Sequence, residues 1–300
     1  MHGVRRVRTS AEQAAAKKQR EAHEITKFRA LEKKVFDARA TQEDPSVALP
    51  LTTKLLEQNP EHYTVWNYRR ELLEQTKNKS QIEADLKFIE DMLPRYPKIY
   101  WLWNHRRWVL QWLGTEAPWE RELALVTKML EYDARNFMGW TYRRYVCENI
   151  EKYRDKSMVA KELEYTTSKI NANFSNFSAW HNRSQLLVRQ NRPDKSTLLM
   201  EELEYCRSAV FMDPEDQSAW LYYQWLLTSA FFETEQPSVL DHELNQISEL
   251  HSEEPDSLYC VYTLWLLTKK SGNSRPELLE KLIELDPLRA ERYKYLLAQG

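Results

Sequence analysis

The sequence predicts an all-α fold, a solenoid of α-α hairpin repeats, and three observations lead to it. Four segments align without gaps, YTVWNYRREL, YWLWNHRRWV, FMGWTYRRYV and FSAWHNRSQL, with anchors Trp66, Trp103, Trp140 and Trp180 spaced 37, 37 and 40 residues apart. A period in this range marks stacked helix hairpins, each too small to bury its apolar face alone. Glycine is scarce, 5 residues in 300, so the chain has few means of making sharp turns, bulges or phosphate-cradling loops. Each anchor segment also follows a second stretch with helical apolar spacing.

The elements follow in order. Residues 1–40 read as a basic N-terminal tail and first helix, with Arg5, Arg6, Arg8, Lys17, Lys18 and Arg20 as a solvated basic run. Residues 41–300 read as one helical-repeat solenoid of about five clear and two degenerate repeats. In the first helix of a repeat, WERELALVTKMLEYD places Leu123, Val126, Met129 and Leu130 at helical spacing. QIEADLKFIEDMLP, LLMEELEYCRSAVFMDP and RPELLEKLIELDP repeat the scheme, and Pro60, Pro94, Pro97, Pro214 and Pro287 stop such helices. In the second helix, Trp103, Arg107 and Leu110 fall at i, i+4 and i+7, on one face. A fifth copy, DQSAWLYYQWLL, keeps Trp220 but has Tyr223 and Gln224 where arginines stood. A sixth, LYCVYTLWLL, puts Cys260 at the anchor, a seventh trace is DPLRAERYKYLL, and residues 228–258 read as a short link.

The tryptophans are expected in the core, where buried aromatics dominate the energetics. An aromatic, Tyr63, Tyr100, Phe137 or Phe177, stands three positions before each anchor. The arginines three and four positions after the anchor leave two uses open. Arg106, Arg107, Arg143 and Arg144 either pair with helix carboxylates inside the array, which suits the planar guanidinium fork, or reach its edge to bind a partner.

Composition removes several function classes. The 43 basic and 45 acidic residues leave a net charge of −2, unlike the strong basic excess of a nucleic-acid binder. No apolar run is long enough to span a membrane, and MHGVRRVRTS lacks the apolar core of a secretory signal. Cys147, Cys206 and Cys260 lie far apart without zinc-site spacing, which fits a reduced, cytoplasmic setting. No GxxxxGK[ST], GxGxxG or HExxH occurs. From its residues alone the chain is a scaffold, and any reaction it serves requires another polypeptide.

The repeated unit [YF]xxWxxRR at this spacing resembles the repeat of protein prenyltransferase α subunits, strongly over residues 45–225 and weakly to 295. The basic start with TSAEQAAAKKQR, and the stretches DARNFMGWTYRRYV, EYTTSKINANFSNFSAWH and DPEDQSAW, look like the Rab (type II) geranylgeranyltransferase form, in a compact version without immunoglobulin-like and leucine-rich-repeat domains. The resemblance implies a crescent around a β subunit that holds zinc and the isoprenoid. It also implies transfer of geranylgeranyl from its diphosphate to C-terminal cysteines of Rab GTPases, presented by a Rab escort protein. Alternatives are the α subunit shared by farnesyltransferase and type I geranylgeranyltransferase, and a non-catalytic solenoid binding scaffold.

Within the family, a Pro-Lys-x-Tyr-x-x-Trp pattern carries diphosphate-stabilising residues. It matches PKIYWLW, which assigns that role to Lys98 and Tyr100 by resemblance. A cation and a hydroxyl aimed at a departing diphosphate offset its growing charge. Phe137 offers no hydroxyl at the matching position of the next unit. His2, on the N-terminal tail, is a candidate ligand to the β-subunit zinc.

Overall fold

A computed structural model describes residues 10–190, 192–232 and 237–299. Among these residues the regular structure is helical throughout: α1 (Ala11–Ala40), α2 (Pro45–Gln58), α3 (Tyr63–Thr76), α4 (Lys79–Met92), α5 (Tyr100–Leu113), α6 (Trp119–Tyr132), α7 (Phe137–Arg154), α8 (Val159–Ala172), α9 (Phe177–Arg189), α10 (Lys195–Met212), α11 (Gln217–Thr228), α12 (Pro237–Glu253), α13 (Leu258–Lys270), α14 (Pro276–Leu285) and α15 (Ala290–Ala298), with 3₁₀ turns at Gly114–Glu116 and Pro287–Arg289. The fold is the solenoid of helix hairpins that the repeats predict.

Two compact units make up the chain. The first runs to Met129 and includes Thr141–Val146; the second takes Leu130–Trp140 and the chain from Cys147 onward. In the first unit, α1 packs on α2, α2 on α3, and α4 on α5, while the second helices α3 and α5 also touch. Helix α1 starts with a capping box between Ser10 and Gln13 and buries only Val35 and Ala38, near its end. In the second unit, α8 pairs with α9, α10 with α11 and α12 with α13; α11 also meets α9 and α13, and α14 packs on α13 and α15. Within each unit, stacked second helices cover the apolar surface of the neighbouring hairpin.

The anchors behave as the repeat predicts. Trp66, Trp103, Trp140, Trp180 and Trp220 are all buried. Each indole N–H also reaches back six residues to a main-chain carbonyl: Pro60 and Pro97 at 2.9 Å, Ala134 at 2.9 Å, Phe174 at 2.7 Å and Pro214 at 2.9 Å. The anchor thereby fills the core and satisfies a carbonyl in the turn between its two helices, where the ladder offers no donor. Proline sits just past the ends of α2, α4, α10 and α14, at Pro60, Pro94, Pro214 and Pro287.

Two expectations change. Residues 228–258 are more than a link, because α12 fills Pro237–Glu253 and buries Val239, Leu240, Ile247 and Leu250 as the first helix of the sixth hairpin. On α5 the buried face runs through Trp103, Arg106 and Leu110, whereas Arg107 is exposed. The 3.6-residue period admits i+3 as readily as i+4, and a carboxylate inside the array selects Arg106.

Candidate functional site

Residues 93–99 join α4 to α5. The start of this segment is closed by main-chain bonds from Arg95 and Tyr96 to the Met92 carbonyl, at 3.1 and 2.9 Å, and by Ile99 to Tyr96 at 3.3 Å. Trp103 fixes the middle through the Pro97 carbonyl. Lys98 lies on this turn with its side chain exposed, and Tyr100 opens α5 with 63% of its surface exposed. Tyr100 meets Trp101 edge-on, with ring centroids 6.4 Å apart, and Trp101 lies 5.6 Å from Tyr63. No side chain caps α5 at Ile99, whereas Asn136, Asn176 and Asp216 cap the second helices of the next three hairpins. Lys98 and Tyr100 thus stand two residues apart, both exposed, at the start of α5.

The aromatics three before the anchors are exposed: Tyr63 56%, Phe137 64% and Phe177 52%. A residue at the first helical position points its side chain back past the helix end. Tyr100 is therefore exposed to solvent rather than packed in the core.

The arginines separate into two classes. Arg106 is 1% exposed and clasps Glu122 with both ends of its fork, Nε at 2.6 Å and Nη2 at 2.7 Å, while Nη1 donates to the Leu86 carbonyl. Arg69 grips Asp85 in the same way at 2.7 and 2.6 Å, and Arg183 grips Glu202 at 2.7 and 2.6 Å. Arg143 is also buried and donates to Thr127. A partner-binding role for Arg106 and Arg143 is thus replaced by an internal one, since a guanidinium enclosed in the core presents nothing to another surface. Arg107 and Arg144 remain exposed: Arg107 lies 4.5 Å over the Tyr145 ring, and Arg144 donates to Thr141.

These carboxylates escaped the sequence reading. Asp85, Glu122, Glu162 and Glu202, all buried, each stand 18 residues before an anchor tryptophan. Two positions after the anchor, a second donor completes the grip: His105 on Asp85 at 2.9 Å, Tyr142 on Glu122 at 2.5 Å and Tyr222 on Glu202 at 2.6 Å. Burial pushes the Tyr142 and Tyr222 hydroxyls well up, and the adjacent glutamates add to it, so both stay protonated donors. In the fifth hairpin, where Tyr223 replaces the arginine, Tyr223 donates to Glu243 and Arg207 of α10 supplies the cation at 3.3 Å.

His2 lies outside the described residues. Among the described residues, no three His, Cys, Asp or Glu side chains gather in an arrangement that fits a metal ion. No helix among them is long and apolar enough to cross a membrane.

The family pattern described as protein prenyltransferase alpha subunit repeat matches residues 46–76, 82–113, 119–150, 159–190 and 199–230. The chain is similar to the geranylgeranyl transferase type-2 subunit alpha of Schizosaccharomyces pombe, 45% identical over 24% of this chain and 21% of that protein. It is likewise similar to the subunit of that name from Candida albicans, 38% identical over 31% of this chain and 24% of that one. The Homo sapiens subunit is 40% identical over 31% of this chain and 18% of its own length. The aligned part thus spans about a fifth to a quarter of these relatives. Among solved structures, Candida albicans protein geranylgeranyltransferase-I complexed with GGPP matches with a TM-score of 0.72 at 22% identity, over 91% of this chain and 90% of that one. At that identity the likeness speaks for the fold.

Proposed function

The chain belongs to the protein prenyltransferase alpha subunit family, and from that premise we propose that it is the α subunit of a heterodimeric type II geranylgeranyltransferase. It scaffolds a catalytic β subunit and serves transfer of geranylgeranyl from its diphosphate to C-terminal cysteines of Rab GTPases presented by a Rab escort protein, in the cytoplasm. The type II choice rests on the names of the similar relatives. The observation that supports the chemistry is that Lys98 and Tyr100, two residues apart, are both exposed at the uncapped start of α5.

In this reading the β subunit holds zinc and the isoprenoid, and zinc supplies an activated cysteine thiolate when bound. This chain acts on the leaving group. As the carbon–oxygen bond breaks, charge accumulates on the diphosphate; the Lys98 ammonium and the Tyr100 hydroxyl donate to it, and the α5 terminus adds its dipole. Trp103 holds the turn in place, so the donors need little reorganisation as charge develops.

The test is geranylgeranyl transfer to a Rab–escort complex by this chain co-purified with a type II β subunit. Losing a preorganised donor costs about 2.7–4 kcal/mol of barrier. Lys98→Ala is therefore expected to form the same heterodimer and lose roughly 100-fold or more in rate. Equal rates would remove the diphosphate role of Lys98. A stable heterodimer with no transfer would move the assignment to the farnesyl or type I enzyme, and failure to pair with any β subunit would leave a non-catalytic binding scaffold.

A further inference from the structure

In the first two tryptophan repeats, the second arginine ends on an aromatic ring five positions beyond the next anchor. The Arg70 guanidinium lies 5.9 Å from the Trp108 ring centre, and Arg107 lies 4.5 Å from that of Tyr145. Arg70 is fixed further by Asn104 and by His105 Nδ1 at 3.2 Å. The third repeat meets Gln185 at that ring position, and there Arg144 donates to Thr141 at 3.2 Å. In the fourth repeat the arrangement is reversed. The ring is kept, as Trp225, five beyond Trp220, but the arginine is replaced by Ser184.

At that place a cavity of about 200 Å³ lies between α9 and α11, lined by Phe177, His181, Ser184, Leu221, Tyr222 and Trp225 among others. Ser184 is buried and turns its hydroxyl away, onto the His181 carbonyl at 2.8 Å. Phe177 and His181 stack at the rim with 22° between their planes, and Trp225 is half-buried. No carboxylate lines the cavity, but the side-chain amide of Gln185 does. Aromatic faces carry negative charge density that attracts a cation. Without a carboxylate, a strongly hydrated ammonium would lose its water uncompensated, whereas a weakly hydrated, planar guanidinium stacks on a ring and still donates in its plane.

We propose that this cavity receives an arginine side chain from the β subunit, which stacks on Trp225 as Arg70 and Arg107 stack on Trp108 and Tyr145 within the chain. The proposal rests on the reading of the chain as one half of a heterodimer. Phe177 lines the cavity and stands three before its anchor, as Tyr100 does, so it holds the repeat position from which, under the proposed function, Tyr100 meets the diphosphate held by the β subunit.

The test uses the heterodimer with wild type, Ser184→Ala and Ser184→Arg. Ser184→Arg places a guanidinium on Trp225 in cis; it is expected to weaken association with β at least tenfold without lowering the melting midpoint of the chain. Ser184→Ala keeps the cavity and should bind as wild type does. Replacing the β-subunit arginines singly by alanine should reveal one whose loss weakens wild type to the same degree and adds nothing to Ser184→Arg. Unchanged affinity for Ser184→Arg, or the lack of any such non-additive arginine, overturns the proposal while the heterodimer stands. A wild-type chain that forms no heterodimer with any type II β subunit overturns both.

Discussion

The indole N–H of Trp103 donates to the carbonyl of Pro97 at 2.9 Å, so the anchor buried in one helix fixes the turn that presents Lys98. Core packing and the candidate site are thus linked through a single side chain. Trp103→Phe keeps an aromatic ring but removes the donor and leaves space around it. The lost hydrogen bond is worth about 1 kcal/mol and the cavity adds a similar or larger loss, for a total of roughly 1–3 kcal/mol. The turn should loosen before the fold does. Limited trypsin digestion is expected to cut after Arg95 and Lys98 faster in Trp103→Phe than in wild type. Equal cutting rates would mean that the proline-rich turn holds itself.

The Arg106–Glu122–Tyr142 cluster gives a second prediction. Removing one partner of a buried pair leaves a charge with no compensation, at a cost of about 3–5 kcal/mol, whereas replacing the whole set by apolar groups of like size is often neutral. Arg106→Met alone should therefore lower the urea midpoint sharply. Arg106→Met combined with Glu122→Met and Tyr142→Phe should recover most of the loss. If the triple variant is as unstable as the single one, packing around Arg106, rather than its charge, accounts for the effect.

The hairpins were legible because tryptophan is rare and its spacing regular, and because proline marks the ends of the first helices. The acid partners were not. Asp85, Glu122 and Glu202 sit in first helices whose apolar stripe alone sets the periodicity, so an acid on the buried face looks like one on the solvated face until its arginine is placed. The constant interval of 18 residues to the next anchor was the available signal. Helix α12 carries no such mark because the anchor of its hairpin is Cys260, which lacks the indole that identifies the first five hairpins. For the candidate site, the PKIYWLW match located Lys98 and Tyr100, but the exposure of Tyr100 depends on its standing at the first turn of α5, which periodicity does not report.

The last prediction concerns acid. His105 is fully buried between Trp66, at 4.6 Å, and Trp108, at 5.3 Å. Its Nδ1 accepts from Arg70 Nε, so its Nε2 carries the proton donated to Asp85 and the ring is neutral. Burial drives the imidazole down from 6.5 to about 4, with Arg69 and Arg70 adding to the shift against the pull of Asp85. Burial alone would raise Asp85, but the bonds from His105 and Arg69 together hold it below 3.8. The unfolded chain therefore binds a proton at His105 that the folded chain refuses between pH 6.5 and about 4. Stability from this site is complete above pH 6.5 and falls as the pH drops to about 4, a loss on the order of 3 kcal/mol. Asp85 adds its own loss below about 3.8, where the unfolded carboxylate takes up a proton that the folded one refuses. Gln at this position places an amide N–H near the Nε2 site without titrating. Urea unfolding of the heterodimer from pH 7.5 to 4.5 should show a smaller acid loss in His105→Gln than in wild type, with similar stability at the upper end. Parallel curves would assign the acid sensitivity to other groups and remove His105 as its source.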